Sequence, residues 1–110
     1  MEAAAKGEEQ GYDLEVIDLR TLVPMDETCV LDSVRRTGRL VIAQEAVKRG
    51  GVGSDVAAFV AERAFDALRA PIVRVAGWNT TIPFNLALEK ASVPQVADIV
   101  AGVRSVMETP

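Results

Sequence analysis

Apolar positions fall into short blocks whose spacing alternates between that of a helix and that of a buried strand. Residues Glu2–Gln10 are rich in helix formers (Ala3, Ala4, Ala5, Lys6, Glu8, Glu9) and read as the tail of a helix stopped by Gly11. Leu14–Leu19 puts Leu14 and Val16 on one side and Ile17 and Leu19 on the other, which predicts a strand covered on both faces. Pro24 interrupts the pattern. Asp26 then caps a helix running to about Arg36, with Glu27 at its start and Arg35 and Arg36 at its end, as the helix dipole favours. Val30, Leu31 and Val34 form its apolar stripe, and Gly38 sits where a left-handed terminator belongs. Arg39–Glu45 reads as a second strand, because Leu40, Val41, Ile42 and Ala43 are a continuous apolar run.

A glycine-rich turn (Gly50, Gly51, Gly53) follows, and Ser54 is placed to cap a long helix to about Arg69. Val56, Phe59, Val60, Ala64, Phe65 and Leu68 give that helix a broad apolar face that should pack on a sheet. Pro71 opens a third strand with Ile72, Val73 and Val75. Gly77–Pro83 is a loop, Phe84–Lys90 a short helix, and Pro94 suits the first turn of a last helix carrying Val96, Ile99, Val100, Val103, Val106 and Met107. Alternation of this kind predicts a three-layer α/β/α fold, with a mostly parallel sheet of at least three strands and right-handed crossovers.

Composition narrows the function. The 110 residues are one domain at most. Twelve basic and 16 acidic residues leave a net charge of −4, so there is no basic field for nucleic acid or an anionic membrane. There is no histidine, which removes Ser-His-Asp and Cys-His catalysis and the commonest metal ligand. The lone Cys29 cannot form an internal disulfide and is expected to be a small buried residue. With no apolar run of signal-peptide or membrane-span length, a cytoplasmic location is expected.

Two local constellations could carry chemistry. Gly50, Gly51, Gly53 and Ser54 follow a strand and open a helix, where backbone amides attract anions, and Lys48 and Arg49 are near. Their Gly-Gly-x-Gly spacing is not the dinucleotide fingerprint, and no Walker lysine follows, so a tight packing turn is the favoured explanation. Asp18 and Glu45, at or near strand ends, could do acid–base work. No nucleophile–base–orienter set accompanies them, and the favoured reading is that they bond loop amides or pair with Arg20 and Arg39.

Three strings then fall in a telling order. They are Asp18-Leu19-Arg20-Thr21-Leu22-Val23-Pro24-Met25-Asp26; then Thr37-Gly38-Arg39-Leu40-Val41 with Glu45-Ala46 and Gly50-Gly51-Val52-Gly53; then Ile82-Pro83-Phe84 with Leu88-Glu89 and Pro94-Gln95-Val96. Together they resemble the transketolase C-terminal domain, and most closely that of the beta subunit of thiamine-diphosphate-dependent 2-oxo acid dehydrogenases of the pyruvate, acetoin and branched-chain type. The resemblance implies an assembly domain within an enzyme that decarboxylates a 2-oxo acid and passes the acyl group to lipoyl. It implies thiamine diphosphate and magnesium in the parent enzyme, held by other domains, so that no catalytic, cofactor or metal residue falls in this chain. The implied partners are a second beta subunit, the alpha subunit and the small binding domain of the lipoyl acyltransferase. Trp78, Pro83 and Phe84 are the interface candidates, since loop aromatics give large contact area at low entropic cost. They could also cap the local core.

The chain departs from the resemblance at its start. Family members carry a central strand before the first helix, and here that strand is absent. If the family order holds, Leu14–Leu19 and Leu40–Ala43 flank an empty slot whose backbone groups need other partners. The abrupt, linker-like opening also fits an excised or redesigned α/β scaffold without activity.

Overall fold

The computed structural model describes residues 2–19, 26–49, 51–77 and 94–108, with the side chains of 45–47 excepted. Helix α1 spans Glu2–Glu9, α2 Glu27–Thr37, α3 Val52–Ala64 and α4 Val96–Glu108. Strands β1 (Val41–Val47) and β2 (Val73–Gly77) form a parallel pair, the only sheet among the described residues. Val41 pairs with Val73, Ile42 with Arg74 and Ala43 with Val75 before an irregularity shifts the register to Val47 and Gly77.

Most helix boundaries follow the residues that predict them. The Asp26 side chain accepts a hydrogen bond from the Cys29 amide at 3.1 Å. At the other end of α2, Gly38 adopts φ 75° and its amide bonds the Val34 carbonyl. Gly11, at φ 89°, closes α1 in the same left-handed way. Gln95 donates its amide to the Asp98 carboxylate at 2.8 Å, half of a capping box at the start of α4.

Helices cover both faces of the sheet, as the alternation in sequence requires. Ile42 faces α3, and Leu40, Ile42 and Ile72 pack against the core cluster of Val30, Leu31, Val34, Val56, Val60 and Ala64 from α2 and α3. Val41, Val73 and Val75 point the other way, toward Gly102 of α4, and α1 packs on α4 in the same layer. Each covering helix meets the sheet at a glycine. A Cβ on Gly102 would lie 2.9 Å from Val75 Cγ2 and 3.3 Å from Val73 Cγ1. A Cβ on Gly53 would lie 2.8 Å from Gln44 Oε1 and 3.1 Å from Ile42 Cγ2.

Four expectations are corrected. Leu14–Leu19 is not a strand; the segment has no ladder partner among the described residues, and a strand cannot exist without one. The described sheet therefore has two strands rather than three. The long helix starts at Val52 with Gly51 as its N-cap, not Ser54, and ends at Ala64. Beyond it Phe65–Ala67 tightens into a 3₁₀ turn, which leaves Phe65 73% exposed. Cys29 is exposed rather than buried, because α2 turns Val30, Leu31, Ser33 and Val34 inward. The expected helix 84–90 lies outside the described residues.

Gly102→Ala tests the close approach. The added methyl group improves helix propensity by about 1 kcal/mol but forces α4 off the sheet, at a cost of about 1–3 kcal/mol. The variant should lower the urea midpoint, and an unchanged or raised midpoint would refute the contact.

Candidate functional site

A cleft of about 430 Å³ runs along the outer edge of β1. Asp13–Ile17 forms one wall, and Leu40, Val41 and Ala43 form the other. Val30 and Val34 of α2 line one end of the cross-section, and Val103 and Val106 of α4 the opposite end, with Ala3 and Ala4 of α1 beside them. The cleft thus sits in the plane of the sheet, between the two helical layers. It runs between residues 13–17 and Leu40–Ala43. Its apolar lining is wet: Ala43 is exposed in mid-strand and Val16 keeps 51% of its surface in water. Fully burying a valine gains roughly 1.5–3 kcal/mol, so the open slot forgoes a sizeable part of that.

Polar side chains in the same lining, Glu15, Ser33, Thr37 and Arg39 among them, tie the walls to neighbouring elements. The Glu15 carboxylate accepts a hydrogen bond from Ser33 Oγ at 3.1 Å and pairs with the Arg36 guanidinium, which ties the loop wall to α2. Arg36 and then Ser33 hold the Glu15 carboxyl below its usual range, and Glu15 holds the Arg36 guanidinium above its own. Leu14 rests on Gly7 of α1, where a Cβ would come within 2.5 Å of Leu14 Cδ1. Arg39 Nε donates to the Val106 carbonyl at 2.8 Å, fixing the foot of β1 to α4. Arg104 donates to Gln10 Oε1 at 3.1 Å, linking α4 to the end of α1. Sequence reasoning missed Glu15, Ser33 and Arg36 as a group, since their spacing in the chain carries no recognisable motif.

The other candidates fall elsewhere. At the glycine turn the Gly53 amide donates to Gln44 Oε1 at 2.7 Å, and the Ser54 amide donates to the Gly51 carbonyl at 3.0 Å. Ser54 Oγ donates to the Lys48 carbonyl at 3.2 Å, while the Arg74 guanidinium bonds both that carbonyl and Ser54 Oγ, at 2.9 and 2.7 Å. An anion entering here has to displace these partners first. Asp18 is exposed and already engaged in a polar interaction. Gly50, the Glu45 side chain, and Trp78, Pro83 and Phe84 lie outside the described residues.

The described donors do not fit magnesium diphosphate. Among them no cluster of three or more His, Cys, Asp or Glu side chains could hold a metal ion, and the amides of Gly53 and Ser54 are taken. Nor is any described helix long and apolar enough to cross a membrane.

Comparison with known proteins agrees with the α/β fold. Residues 1–99 match the family of the transketolase C-terminal domain. The chain is 45% identical over 106 residues to the pyruvate dehydrogenase E1 component subunit beta of Rhizobium meliloti, spanning 96% of this chain and 23% of that one. It is 44% identical over 108 residues to the acetoin:2,6-dichlorophenolindophenol oxidoreductase subunit beta of Cupriavidus necator, spanning 98% and 32%. Among solved structures, a split gene transketolase described as an inactive beta4 tetramer superimposes with a TM-score of 0.81 at 31% identity, over 98% of this chain and 34% of that one. The chain therefore spans about a quarter to a third of the relatives it matches.

Acid should weaken the tie between the cleft wall and α2. The folded-state pKa of Glu15 is depressed, so its stabilisation is present above the ordinary glutamate value and is lost as pH falls through the lowered one. Glu15→Gln should melt at lower urea than the parent at pH 7, and the gap should close toward pH 3. A gap constant with pH would sink this assignment.

Proposed function

The chain belongs to the transketolase C-terminal domain family, and on that premise we propose that it is the C-terminal assembly domain of the beta subunit of a 2-oxo acid dehydrogenase. The parent enzyme decarboxylates its 2-oxo acid on thiamine diphosphate held with magnesium by other domains, and passes the acyl group to lipoyl. This domain pairs beta subunits and helps dock the binding domain of the acyltransferase core. Residues 1–110 are one such domain, of which residues 1–99 match the family.

The observation that carries this reading is the even spread of similarity. Two beta subunits of different substrate name match 96% and 98% of this chain, each at 44–45% identity. A segment shared so evenly between enzymes with different substrates suits a common assembly role better than a substrate pocket. The electrostatics at Glu15 and Arg36 join a loop to a helix and serve the scaffold.

Light scattering on the purified chain, with and without an acyltransferase binding-domain peptide, tests the assignment. We expect a dimer whose affinity rises when the peptide is added. Trp78→Ala should weaken that association by about tenfold or more, the effect of losing one aromatic anchor. A monomer at every concentration, indifferent to the peptide, would overturn the assembly role. Saturable binding of thiamine diphosphate to this chain alone would overturn the placement of the cofactor elsewhere.

A further inference from the structure

We draw no further inference here: the strongest candidate, the surface patch at the end of α3 where Phe65 stands exposed among the exposed side chains of Glu62, Arg63, Asp66 and Arg69, carries charges of both signs that select no partner, and nothing in the structure shows what covers it.

Discussion

The close approach of two helices to the two faces of one short parallel sheet governs the rest of this structure. Parallel pairs are slightly weaker than antiparallel ones and occur almost only where both faces are covered. Here α3 and α4 supply that cover, and each does so at a glycine, Gly53 against Ile42 and Gln44, and Gly102 against Val73 and Val75. Bringing backbone to sheet lets the valines of β1 and β2 fill the space a side chain would have used. It also fixes the separation of the two helical layers. That separation is carried past the edge of β1, where no strand occupies it among the described residues. The cleft is therefore a consequence of the layer spacing, with α2 on one side and α4 on the other.

The layers themselves were legible in the sequence. Asp26 and Gly38 bracket α2 because capping is local chemistry that tertiary context rarely overrides. The continuous run Leu40–Ala43 announces a strand covered on both faces, and the structure turns Leu40 and Ile42 to α2 and α3 and Val41 to α4. The start of α3 was misplaced by three residues because Gly51 and Ser54 are both acceptable caps. The Ser54 hydroxyl is instead directed at the Lys48 carbonyl and Arg74.

Leu14–Leu19 failed for a deeper reason. A strand is a relation between two segments, and the pattern of one segment cannot report whether its neighbour is in place. Residues 12–19 retain strand-like composition but are held by side chains, with Glu15 on Arg36 and Ser33 and Leu14 on Gly7, where a ladder would have used the backbone. The polar group that holds the wall was not legible at all. Glu15 and Arg36 are 21 residues apart, and nothing local ties them together.

The glycine turn shows how a binding-site pattern can be consumed by packing. Amides at a helix start carry a partial positive charge and accept whatever acceptor reaches them first. At Gly53 that acceptor is Gln44 Oε1, delivered by β1 itself at 2.7 Å. Arg74, which could have drawn an anion, is directed by β2 at the Lys48 carbonyl and Ser54 Oγ. Both substitutions follow from register. Ile42 opposite Arg74 places the guanidinium under the turn, and Gln44, two residues on along the same face, brings its amide to the helix start. Sheet and turn are thus locked by groups that an anion would otherwise use. The side of the domain rich in amides is a joint, while the cleft beside β1 stays open among the described residues.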